Sequence, residues 1–246
     1  MALLAYLLRR ADDALILGHR LSEWCGHAPM LEEDMALANM ALNLIGQARS
    51  LYAYAAQVEG QSRDEDALAY LRRENAYRHL LLVEQPNGDF AQTILRPFLY
   101  AAFADPFWRA TMASSDATVA AVAAKAEKEM AYHLRHTAEW VVRLGDSTPE
   151  ARRRIEAALA KLWPYTGEMF EADDPSLIDA GVAVDPATLA AGWRETIGQV
   201  FARATLNVPR DGWMQTGNRH GRHSEHLGHL LSELQYMRRA FPGATW

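Results

Sequence analysis

The longest stretch of unbroken helical periodicity in the chain runs from Ala117 to Leu144. Steps of three and four residues place Val122, Ala126, Glu129, His133, His136 and Trp140 on one seam, with Val119, Met130, Thr137, Val141 and Leu144 as a stripe beside it. An apolar stripe with a polar middle belongs against other helices, not against water.

The same period, punctuated by breakers, divides the rest of the chain. A first helix is predicted from Ala2 to Trp24, stopped by Gly26 with Pro29 beyond it. A second runs from Leu31 to about Val58, with Glu32, Glu33 and Asp34 in the first turn, where the helix dipole favours negative charge. After the polar loop at 59–66, residues 67–84 read as a third helix. The turn signal QPNGD follows, and Asp89 caps a fourth helix from Phe90 to about Met112 that Pro97 and Pro106 should kink or divide. The Ala117 stretch is the fifth and ends at Gly145. Ser147 or Thr148 with Pro149 starts a sixth, bent at Pro164 and reaching about Phe170. A loop closed by Asp185 and Pro186 leads to a seventh helix ending near Ala204. The Gly- and Pro-containing stretch at 206–222 reads as irregular, and a last helix spans His223 to Ala240. The apolar tail ending in Trp246 is expected to dock on the body.

No stretch alternates apolar and polar residues between turn signals, so the class is all-α. Tight hairpins are expected between helices one and two and between helices five and six, separated by a long excursion through helices three and four. Antiparallel pairs joined by a long crossover predict a ferritin-like four-helix bundle with additional helices, formed by residues 1–246 as a single domain.

Composition narrows the partners. A net charge of −6 with interspersed signs gives no footprint for nucleic acid or anionic lipid. No apolar run is long enough to span a membrane, and the apolar N-terminal residues are interrupted by charge after Leu8, which reads as an amphipathic helix and not as a leader. Cys25 is the one cysteine, so no internal disulfide forms and a reducing cytoplasm is the expected compartment. Beside Trp24 it reads as a structural residue.

Ferritin-like carboxylate centres use Glu-x-x-His pairs, and that spacing is absent here. Four-residue pairs occur instead: Glu23 with His27, Glu129 with His133, and Glu225 with His229. On a helix these read first as intrahelical contacts. Glu129, His133, Glu225 and His229 remain the alternative metal set, that of a metal-dependent oxidase. On the second helix Asn39, Asn43 and Gln47 recur every four residues where a carboxylate shell would have to stand, and the sixth helix offers Glu156 and Lys161. The expectation is that hydrogen bonds, or a Lys or Arg paired with Glu129, fill the place of a metal centre, with no catalytic residue and no cofactor in this chain. The cluster His220, His223, His226 and His229 reads as capping and interface contacts, with a zinc site of His226, His229 and Glu233 as its alternative.

HRLSEWCGHAP at 19–29, LANMALNLIGQARSLYAYAA at 37–56, LLLVEQPNGDFA at 80–91, LNVP at 206–209 and HSEHLGHLLSELQYM at 223–237 closely resemble the family of C subunits of bacterial phenylacetyl-CoA epoxidases, over nearly the whole chain. The loop TGNRHGR at 216–222 departs from the Gly- and Lys-rich form of that family. The resemblance implies a ferritin-like, non-catalytic member of a multicomponent monooxygenase. Its implied partner is the catalytic A subunit, which carries the di-iron centre, paired with it as a dimer of heterodimers and supplied with electrons by an NADPH-dependent reductase. The third reading is a binding module for a small acyl ligand.

Overall fold

The computed structural model describes residues 1–244, and the expectation for Trp246 lies outside them. Among the described residues there is no strand. α1 (Ala2–Ser22) and α2 (Leu31–Glu59) form the first hairpin. Its turn is held where the Gly26 N–H donates to Asp34 Oδ1 at 2.7 Å, and α2 stops at Gly60, whose φ of 66° is a conformation that favours glycine. Next come α3 (Glu65–Tyr70) and α4 (Leu81–Glu84), both short. α5 (Phe90–Thr111) and α6 (Ala117–Gly145) follow, capped by Asp89 and Asp116. α7 (Pro149–Leu162) begins with the Thr148 cap and Pro149. α8 (Pro175–Asp179), α9 (Ala190–Arg203), α10 (Glu225–Leu234) and α11 (Tyr236–Ala240) complete the series.

Three expectations are corrected. The third helix, predicted over 67–84, breaks after Tyr70 and resumes only as the single turn of α4. Residues 74–76 make only a short 3-10 turn, and beyond it three N–H groups are taken by buried side chains: Asp12 accepts from Arg78 N at 2.7 Å, Asp13 from Leu80 N at 2.7 Å and Glu168 from Leu81 N at 2.8 Å. Those carboxylates replace the carbonyls a helix would have offered. Of the kink or division expected of α5, the division does not occur: the helix runs through Pro97 and Pro106 undivided, because it is buried nearly all round and its neighbours hold it together. The last helix is interrupted at Gln235, whose amide donates to Arg72 O and Tyr77 Oη.

The packing also differs from the expected second hairpin. α6 lies most extensively along α5, and α7 covers the outside of both. The reason is patterning: α5 is apolar on every side, whereas α7 offers only the stripe Ile155, Ala158, Leu159 and Leu162. The bundle is therefore α1–α2 paired with α5–α6, joined by the long crossover at 60–89, which is the ferritin-like arrangement. α9 closes one end. Trp193 Nε1 donates to Leu99 O at 3.1 Å, and Gly145 meets Ala204 so closely that a Cβ would fall 2.3 Å from its carbonyl oxygen. Tyr52, Trp163 and Trp193 are core, whereas Tyr54 and Tyr132 are half-buried.

Candidate functional site

The position where a ferritin-like chain would assemble a metal centre lies along α2 and α6. The predicted seam faces inward, but of its members only Ala126 and His133 are fully buried, and the neighbouring stripe lies deeper, with Val119, Met130, Thr137 and Val141 buried. Gln47 Nε2 donates to Glu129 Oε2 at 2.8 Å, and Lys125 Nζ stands 3.8 Å from the other carboxylate oxygen. Asn43 Nδ2 lies 3.3 Å from His133 Nε2 and donates to it. His136 Nε2 meets Glu33 Oε2 at 2.9 Å. Burial, with a smaller effect of the neighbouring His136, pushes the His133 imidazole down to about 3, so it stays neutral. Amides and a cation thus attend Glu129, and the other carboxylate of the seam, Glu33, is taken up by His136.

The other candidates do not converge here. Asn39 is exposed on α2, and Glu156 and Lys161 are exposed on α7, Glu156 bonding Arg152 at 2.9 Å. Glu225 and His229 lie on α10, which makes its principal contacts with α11 and the 74–76 turn, not with α6. Glu129 and His133 therefore do not share a site with Glu225 and His229. Glu23 pairs with Arg20 at 3.0 Å, and His27 lies in the turn between α1 and α2.

A second polar interior surrounds α1, and the sequence reading missed it. Asp12, fully buried, bonds the guanidinium of Arg72 and the hydroxyl of Tyr52. Asp13 receives Arg219 Nη2 at 3.0 Å. Arg10 meets Asp173 at 3.1 Å, and Asp173 also takes Arg9 at 2.9 Å. Burial alone would raise Asp173, but Arg10 foremost among its neighbours draws it below the usual carboxylate range. Glu168, fully buried, accepts the N–H groups of Gly217 at 3.0 Å and Asn218 at 2.7 Å.

Next to these lies a node centred on Glu84. Its Oε2 is 2.7 Å from His79 Nε2 and 3.1 Å from His223 Nδ1, and its Oε1 accepts Ser224 N at 2.7 Å. The two imidazoles stack with centroids 4.8 Å apart. Burial opposes ionisation of Glu84, yet hydrogen bonds from His223 and His79 outweigh it and hold the carboxyl well below its ordinary value. His79, Glu84 and His223 form the one group of three potential metal ligands that come together among the described residues, with ligand atoms all within 4.8 Å. His223, read from the sequence within the cluster of His220, His223, His226 and His229, thus works apart from His226 and His229. The sole local signal was the pair His79 and Glu84, and five residues is no helical spacing.

The whole chain, residues 1–246, matches the phenylacetic acid catabolic protein family, and it belongs to that family of ferritin-like helical proteins. It is 48% identical over 246 residues, 99% of each chain, to the C subunit of the 1,2-phenylacetyl-CoA epoxidase of Escherichia coli (strain K12). No helix among the described residues is long and apolar enough to cross a membrane.

Proposed function

We propose that this chain is a structural, non-catalytic subunit of a cytoplasmic phenylacetyl-CoA 1,2-epoxidase, stabilising a separate catalytic subunit that holds the di-iron centre. The observation that carries the reading is the Gln47–Glu129 contact. A neutral amide and a lysine ammonium attend the carboxylate at mid-bundle, where two irons would demand several hard oxygen ligands. The name of the Escherichia coli relative supports membership of a multi-subunit epoxidase.

A chain of this kind acts by burying its partner's apolar surface and fixing its helices. α2 leaves Leu31, Met35 and Leu42 exposed on one side of the helix, in a row that its own bundle does not cover. Such a row suits an interface of the obligate class, above about 2,000 Å² in total.

Coexpression with the other epoxidase subunits, followed by sizing and iron analysis, tests the reading. The expected result is stoichiometric co-elution, with iron assigned to the partner and no oxygen consumption by this chain alone. Failure to co-elute, or oxygen turnover by the isolated chain, rejects it. The alternative of an oxidase built on Glu129, His133, Glu225 and His229 is disfavoured because, among the described residues, these four do not come together as a group of metal ligands.

A further inference from the structure

Four buried polar atoms without a hydrogen-bond partner gather around Glu84: His79 Nδ1, His223 Nε2, Asn218 Oδ1 and Ser224 Oγ. Unmet polar atoms in a dry interior mark a place where a species that completes the network is wanted. We propose that this node binds one divalent ion of the zinc type through His79, Glu84 and His223, as a structural clamp on the C-terminal segment.

Two imidazoles and a carboxylate, drawn together within 4.8 Å, are a ligand set suited to zinc. The side chains of His79 and Glu84 are wholly buried and that of His223 almost so, which leaves no room for a substrate; with one water as fourth ligand the site is structural. Its ligands come from the extended run before α4, from α4 itself and from the segment that leads into α10. One ion would therefore tie residues 79–84 to 223 across the sequence.

In the structure the two rings donate N–H groups to Glu84 Oε2. An ion takes the place of those two protons. Each neutral ring then carries its proton on the opposite nitrogen, His79 Nδ1 and His223 Nε2, which are the two that now lack partners. The unpartnered Asn218 Oδ1 and Ser224 Oγ are acceptors of the type that such second N–H groups require. Tetrahedral ligands at the usual zinc distances stand about 3.3 Å apart, so His223 already has nearly the required separation from Glu84, His79 must withdraw by about half an ångström, and the set as a whole, which spans up to 4.8 Å, must draw in around the ion.

The test is titration of the chelator-stripped full chain with Co²⁺, read by visible absorption, and then with Zn²⁺, read by displacement of the cobalt spectrum and by thermal unfolding. The expected result is a tetrahedral spectrum that saturates at about one equivalent, is abolished by Zn²⁺ and is accompanied by a higher unfolding temperature. His79→Ala and His223→Ala are expected to weaken binding by about a hundredfold or more, while His229→Ala, on α10 outside the node, leaves it unchanged. Absence of a tetrahedral spectrum in the wild-type chain overturns the proposal even if the node variants do not fold. Binding that survives in His79→Ala, or that is lost in His229→Ala, overturns it as well.

Discussion

Between α2 and α6, and again around α1, polar side chains meet inside the bundle, and the two places follow different plans. Along α2 and α6 the partners sit on regular helices and bond mainly to each other: Gln47 with Glu129, Asn43 with His133, Glu33 with His136. Around α1, carboxylates of Asp12, Asp13, Glu84 and Glu168 bond to backbone N–H groups of irregular segments, and Asp12 and Asp13 bond arginines as well. The first plan fills a seam without assembling a carboxylate shell. The second fastens the crossover and the C-terminal segment onto the body, because those segments lack helical carbonyls for their N–H groups.

That difference sets the order of expected effects. Asp12→Ala removes the acceptor of Arg72, Tyr52 and the Arg78 N–H at once and leaves a buried guanidinium without its counter-charge. A loss of about 3–5 kcal/mol in urea denaturation is expected, and a loss below about 1 kcal/mol would show that the charged interior is not what fastens the crossover. Gln47→Glu sets a second carboxylate against Glu129 at the seam. The expected cost is about 1–3 kcal/mol at pH 7, shrinking as the pH falls and one carboxyl of the pair takes a proton.

Acid separates the two regions further. His133 has a folded value near 3 against about 6.5 in the unfolded chain, so the unfolded state binds more protons between those limits. Its contribution to stability is complete above about pH 6.5 and declines as the pH falls from there, by about 1.4 kcal/mol per unit. His133→Gln should flatten the slope of stability between about pH 7 and 5. Glu84 and Asp173 are held below their unfolded values, so their contribution is complete above the ordinary carboxylate range and is lost only as the pH falls through it. The wild-type chain should therefore lose stability in two stages, and a curve flat from about pH 7 to 5 would contradict a neutral buried His133. The smallest effect on the fold is expected from Leu42→Asp, within about 0.5 kcal/mol, because the side chain is exposed. Under the proposed structural role the same change should reduce co-elution with the catalytic partner by about tenfold or more.

The sequence made the regular part of this molecule legible. α1, α2, α5, α6 and α7 begin close to their predicted starts, since Asp89, Asp116, Thr148 and the glycines that end helices act locally. Four-residue spacing placed Asn43 and Gln47 on a helix facing that of Glu129 and predicted hydrogen bonds there, though not which amide meets which partner, and that much followed from spacing alone. The Glu84 node did not, because His79 and His223 are separated by most of the chain and neither lies in a helix. Nor did the break after Tyr70, for the acceptors that break the helix reside on α1 and near residue 168. Long-range hydrogen bonds to irregular backbone have no period to read.

Hydrogen bonds close the α2–α6 seam, and under the proposed role no di-iron centre occupies it. The decisive measurement is iron analysis of this chain, separated from its coexpressed partner under native conditions. Iron is expected to remain with the partner, with less than about a tenth of an equivalent on this chain, in wild type and in Glu129→Ala alike. Two equivalents of iron retained by this chain and lost in Glu129→Ala or His133→Ala would contradict it.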